Sequence, residues 1–193
     1  MQFLKEVSKA MDSAEVRRRM RESAENEFQQ RKKKLLSDFI GHPVTQEILS
    51  GPNSDNYSGT LTGRGNLFTF IGFSESSDPI NPLYQYLNRS IRMLKNPHVI
   101  KQKYGATYTF KCYTPDERDL VKVAPMPWER GRSWATGISR GISGLSYYIY
   151  KATEGARSGG GVQTSTPYIA GLMFRRQPYL LGMFSKLKAG VKI

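Results

Sequence analysis

The sequence predicts an α+β protein: a long N-terminal amphipathic helix or helix pair, followed by a small, mostly antiparallel sheet packed with helices. Three observations carry this expectation. Val16, Met20, Ala24, Phe28, Leu35 and Phe39 recur mostly at four-residue intervals, the period of one helix face. Beyond residue 41, short stretches rich in aromatic and β-branched residues are interleaved with helical patterns and turn signals. The interleaving lacks the regular strand–helix alternation of a doubly wound parallel sheet. The chain accordingly divides into an N-terminal helical arm, 1–40, and an α+β body, 41–193.

Within the arm, Phe3, Val7, Ala10 and Met11 share one face of a first helical piece, and Asp12-Ser13-Ala14-Glu15 has the spacing of a capping box that restarts it. Ile40-Gly41-His42-Pro43 ends the second piece, because Gly terminates helices and Pro restricts the residue before it. A helix of some 25 residues is about 40 Å long. That exceeds what a body of this size needs to cover itself, so the arm is expected to pack on neighbouring subunits, with a helix lying across its own sheet as the alternative.

Gly51 to Gly65 is turn-rich, and Asn66-Leu67-Phe68-Thr69-Phe70-Ile71-Gly72-Phe73 reads as a buried strand. Asn81-Pro82 opens a helix with the stripe Ile80, Leu83, Leu87, Ile91 and Leu94. Ala106 to Tyr113 alternates as a second strand, and Thr114-Pro115-Asp116-Glu117 reads as a capping box before a short helix. Ala124 to Trp128 is a stiff, proline-bounded connector. Ser133 then caps a helix carrying Trp134, Ile138, Ile142 and Leu145, with Gly137, Gly141 and Gly144 on an adjacent face that would admit another backbone. Ser146 to Tyr150 and Val162 to Ser165 are short strands, Ser158-Gly159-Gly160-Gly161 a flexible loop. Pro178 starts a last helix with Tyr179, Leu180, Met183, Phe184 and Leu187 inward.

The charge is +13, from 29 basic against 16 acidic side chains, and it is unevenly spread. Arg130, Arg132, Arg140, Lys151, Arg157, Arg175, Arg176, Lys186, Lys188 and Lys192 face Glu154 alone in residues 130–193. Such a field attracts polyanions or acidic protein surfaces. Arg140, Lys151, Arg157, Arg175, Arg176, Lys186 and Lys188 form the candidate basic surface. Leu, Ile, Val and Phe make up about a fifth of the chain, close to the lower limit for a folded core. No apolar run reaches the ~18 residues of a membrane span, and the N-terminus lacks the apolar region of a secretory signal. The single Cys112 excludes an internal disulfide, so synthesis inside the cell is expected.

Signals for chemistry are weak, and a non-enzymatic protein without cofactor, metal or small-molecule substrate is expected. His42 and His98 both sit beside prolines, and Cys112 lies in a strand pattern where burial would make it inert. Neither Gly63-Arg64-Gly65 nor the 158–161 glycines lead into the Gly-Lys-Ser/Thr of a phosphate-binding loop. Pro115-Asp116 followed by Asp119-Leu120-Val121-Lys122 lacks the spacing of a metal-dependent nuclease, and the capping box at 114–117 is the preferred reading. Stronger is the segment Trp128-Glu129-Arg130-Gly131-Arg132-Ser133-Trp134, because Trp and Arg are the types enriched at interface hot spots. Trp128, Arg130, Arg132, Trp134, Phe28 and Phe39 are the candidate assembly residues, with Trp134 also the segment's inward anchor.

Several segments carry a resemblance. His42 to Ile48, Ser58-Gly59-Thr60-Leu61 running into Gly65 to Phe73, and Pro127 through Leu145 resemble virion proteins of tailed bacteriophages. The layout is similar to the neck and tail-completion proteins that join head to tail: a basic amphipathic helix, a Thr/Ser-Gly-x-Leu turn leading into a sheet, and a closing helix opened by Pro plus an aromatic, here Pro178-Tyr179-Leu180. The resemblance implies a structural subunit of a homo-oligomeric ring at the neck or tail terminus, assembled in the host cytoplasm and resident in the virion. Its implied partners are neighbouring head-connector and tail proteins. A basic nucleic-acid-binding protein, such as a ribosomal or packaging component meeting genomic DNA, is the alternative.

Overall fold

A computed structural model describes residues 13–102, 105–145, 148–150, 161–163, 165–167, 171, 173–188 and 191–192. The architecture is α+β, as expected. Helix α1 (Ala14–Gly41) comes first; Ser13 caps it by accepting from the Val16 amide at 3.3 Å. The first helical piece expected before it, and Asp12 of the proposed box, lie outside the described residues. Next come α2 (Pro43–Leu49), α3 (Leu67–Ile71) and α4 (Ile80–Ser90). The rest alternates short strands and helices: β1 (Arg92–Met93), β2 (His98–Gln102), β3 (Gly105–Phe110), β4 (Cys112–Tyr113), α5 (Glu117–Val123), β5 (Pro125–Met126), β6 (Glu129–Ser133), α6 (Trp134–Arg140), β7 (Tyr148–Tyr150), β8 (Gly161–Gln163), α7 (Leu180–Lys188) and β9 (Val191–Lys192). All pairings among the described strands are antiparallel. The largest sheet has the order β2-β3-β9, and β1–β4, β5–β6 and β7–β8 are two-stranded.

The core forms where α1 meets α7, α2 and α4. Phe28 and Phe39, expected at a subunit interface, are 2% and 0% exposed and belong to this core. The physical reason is their neighbour: Tyr179, just before α7, and Leu180, Met183, Phe184 and Leu187 within it join the same buried core as the α1 stripe. Tyr179 is the hub. Its ring lies 5.8 Å from Phe39 and 6.3 Å from Trp134, and its hydroxyl shares a 2.7 Å hydrogen bond with Thr45. Burial pushes that phenol well above its usual range. Trp134 also meets Phe73 edge-on at 5.7 Å. It is therefore the inward anchor the sequence predicts, and at 1% exposure it takes no direct part in a surface contact.

The expected strand at 66–73 is a single helical turn. Asn66 accepts from the Thr69 amide at 2.9 Å as N-cap, and Gly72 ends the turn at φ 86°, where a side chain would be strained. Complete burial of Leu67 to Ile71 erases the period that distinguishes helix from strand. Asn81 does not cap α4: the helix starts a residue earlier, and the Asp78 carboxylate accepts from the Asn81 amide at 3.1 Å. Ile91 stays buried, but Leu94 lies beyond the helix and is 40% exposed. The capping box of α5 uses Asp116 and Asp119, not Thr114 and Glu117. Ala124 to Trp128 is not a plain connector, because Pro125 and Met126 pair with β6 in a hairpin. Helix α6 stops at Arg140, short of Leu145. A Cβ on Gly137 would meet the Ile142 side chain at 3.1 Å, so this glycine admits a folded-back side chain instead of a second backbone.

Candidate functional site

Three surfaces hold the residues singled out from the sequence. The first is the N-terminal stretch of α1. From Ala14 to Ser23 no residue is buried, although Met20 leans on the core; burial begins at Ala24. This stretch is polar nearly all round and is braced along its own length. Arg18 bonds Glu15 at 2.9 Å and Glu22 at 2.8 Å, and Arg19 reaches Glu15 at 2.7 Å. These pairings hold the Glu15 carboxyl below its ordinary range.

The second is the tip of the β5–β6 hairpin. Trp128 is 40% exposed, and one edge of its indole rests over Gly72, where a Cβ would lie 3.4 Å from the ring. Arg130 is exposed, and Arg132 is held by Glu129 at 2.9 Å. The hairpin thus presents a half-open tryptophan beside two guanidinium groups.

The third is the basic surface, which the fold divides. Arg140 is engaged by Glu117, and Arg176 packs over Gly141, so these lie at the end of α6. The Arg175 backbone bonds Thr60 at 2.8 Å. Lys186 and Lys188 stand on α7, and Lys186 lines a furrow of about 200 Å³ shared with α1. Lys151 and Arg157 lie outside the described residues.

The remaining chemistry-bearing side chains serve the fold. His42 Nδ1 accepts from the Val44 amide at 3.2 Å and caps α2; burial and the nearby Lys186 charge lower its pKa. Burial raises the Cys112 thiol, which lies 4.0 Å from the Leu187 carbonyl. His98 pairs with Thr109 across the β2–β3 ladder. Asp119 accepts from the Tyr113 hydroxyl at 2.5 Å, which lowers the carboxyl and pushes the phenol to about 12. Among the described residues no group of three or more His, Cys, Asp and Glu is placed to hold a metal ion, and no helix is long and apolar enough to cross a membrane.

One residue escaped the sequence reading. Glu47, 0% exposed, accepts from Leu67 N at 2.7 Å, Ser58 N at 2.9 Å and Asn56 Nδ2 at 2.8 and 3.0 Å. A buried carboxylate is tolerable only with such a donor set. It fastens the turn-rich segment 51–66 to α2, so Ser58-Gly59-Thr60-Leu61 leads through this network into α3 instead of into a sheet. Its signal was a lone acid between apolar Val44 and Ile48, followed by a stretch rich in unpaired amides.

Compared with known proteins, the chain matches no family model, no curated protein and no solved structure.

Proposed function

We propose that the chain is a non-enzymatic structural subunit of a tailed-phage particle, a ring-forming protein at the neck or tail terminus that joins head to tail. One observation carries the reading: α1 outruns its own body. The stretch Ala14 to Ser23 extends about 15 Å and has no buried side chain, with Met20 only leaning on the core. Ordering a helix costs entropy, and most helices recover it by packing an apolar face. A segment kept helical without that packing is placed to gain it on a neighbouring subunit, as in a head-to-tail ring. The exposed Trp128 beside Arg130 and Arg132 supplies a second contact of hot-spot composition.

Light scattering on the intact chain tests this: a ring elutes at several times the 21.9 kDa of one subunit. Removing residues 1–23 should lower the associated mass while changing Tm by less than about 2 °C, since none of the described side chains in that stretch, Ser13 to Ser23, is buried. Trp128→Ala should also weaken association at nearly unchanged Tm. A truncated protein that associates as before overturns the arm's role.

The alternative, a nucleic-acid-binding protein, draws on the exposed Arg175, Arg176, Lys186 and Lys188. A monomer whose DNA affinity falls steeply with salt would favour it.

A further inference from the structure

We infer that the loop 51–66 and the segment 173–177 together bind a single strand of nucleic acid. Tyr57 stacks on a base, and Arg64, Arg175 and Arg176 meet the phosphates beside it. Every member of this site lies within one chain, so binding needs no ring and goes beyond the assembly reading.

The loop and the segment are remote in sequence, and hydrogen bonds fasten them side by side. The Arg175 amide donates to the Thr60 carbonyl at 2.8 Å, and Gln177 Nε2 donates to the Ser58 carbonyl at 2.9 Å. The segment is also tied to the body: the Gln177 amide donates to the Ile138 carbonyl at 3.2 Å, and the Phe174 ring stacks on Phe70 at 5.7 Å. Within the loop, Asn56 Oδ1 accepts from the Leu61 and Gly63 amides at 3.0 and 3.2 Å. A backbone fixed in this way does not have to be ordered when a ligand arrives.

Tyr57 directly precedes Ser58, is 61% exposed and stays outside the core. It offers the aromatic face on which bases stack whatever their sequence. Arg64, Arg175 and Arg176 are exposed, and the Arg176 Nε lies 3.1 Å from where a Cβ on Gly141 would stand. The loop and the segment hold these three guanidinium groups against one carboxylate, Asp55. A guanidinium fork matches two phosphate oxygens at once. An acidic protein surface is the rival occupant, and protein partners draw most of their affinity from apolar anchors seated in pockets. Here the ground between Tyr57 and the arginines is made of Ser58, Gly59, Thr60 and Gln177. These are groups that position a sugar–phosphate backbone and give an apolar anchor no seat.

Fluorescence anisotropy on the intact chain tests the site with a labelled oligothymidylate, its duplex with oligoadenylate, an abasic strand of the same length and a polyglutamate peptide. The oligothymidylate should bind more tightly than the duplex, whose bases are already stacked, and more tightly than polyglutamate. Tyr57→Ala should lose at least about fivefold in affinity for oligothymidylate and nothing for the abasic strand, which keeps the phosphates. Arg175→Ala with Arg176→Ala should lower the slope of log affinity against log salt by about 1.4, the share of two phosphate contacts. Arg64→Ala, which disturbs no packing over Gly141, should lower it by about 0.7. Lys186→Ala with Lys188→Ala removes the same charge from α7 and should weaken binding less than threefold. Absence of binding, equal losses from the arginine and lysine pairs, or unchanged oligothymidylate binding by Tyr57→Ala overturns the inference. So does polyglutamate bound as tightly as the strand, which would assign the patch to acidic protein.

Discussion

The two halves of α1 hold their helical form by different means. Ala24 to Gly41 is anchored by the buried Phe28, Leu35, Leu36 and Phe39; Phe39 meets Tyr179, Leu35 lies beside Met183 and Leu187 of α7, and Leu36 lies on the side of Tyr84 in α4. Ala14 to Ser23 has no buried anchor and relies on ion pairs spaced three and four residues apart on its own surface. Exposed pairs of this kind contribute little each and are screened by salt. One continuous helix therefore joins a segment that stability depends on to a segment that stability barely notices. The first is committed to the monomer, and the second is available to something else.

The sharpest way to break the comparison is Phe39→Ala. A fully buried phenylalanine truncated in a packed core should cost about 3–5 kcal/mol and lower Tm by roughly 10 °C. If Tm barely moves, the docked half is not docked and the distinction fails.

A smaller effect is expected where the docked half hands over to α2. Burial and the Lys186 charge hold the folded His42 pKa below the usual 6.5, so the unfolded chain binds more protons just beneath that value. The stability contributed by neutral His42 is thus complete above pH 6.5 and is lost as pH falls through the folded value. Protonation also removes the Nδ1 acceptor that caps α2. His42→Asn keeps a capping acceptor and should flatten the decline of Tm between about pH 7 and 5, a difference of about 2 °C. An unchanged pH profile would place the sensitivity elsewhere.

Least of all should follow from changes in the bare half. Glu15→Gln with Glu22→Gln removes its bracing, yet global Tm should shift by less than about 1 °C. Amide exchange should quicken at residues 14–23 alone, and added salt should mimic the variant. A fall in global Tm would show that this half is coupled to the core after all.

Much of this division was legible beforehand. The stripe Ala24, Phe28, Leu35 and Phe39 and the inward face of α7 were both readable from spacing. That each covers the other was not, because about 150 residues separate them and no local pattern encodes which apolar faces meet. Hence Phe28 and Phe39 read as assembly residues, when only the polar stretch before them stands clear. At residues 66–73, aromatic content overrode a boundary signal that was present, Asn66 before and Gly72 after the turn. For the hairpin, composition located the exposed Trp128 and the buried Trp134 within six residues of each other. The furrow was invisible, because its floor and rim come from helices far apart in the chain.

Glu47 carries an implication for the order of events during synthesis. Its donors lie 11 residues downstream at Ser58 and 20 downstream at Leu67. Until Leu67 has emerged from the ribosome, the carboxylate lacks the second of its two main-chain donors. The acid thereby ties the burial of its neighbours Val44 and Ile48 to the presence of the downstream segment that satisfies it.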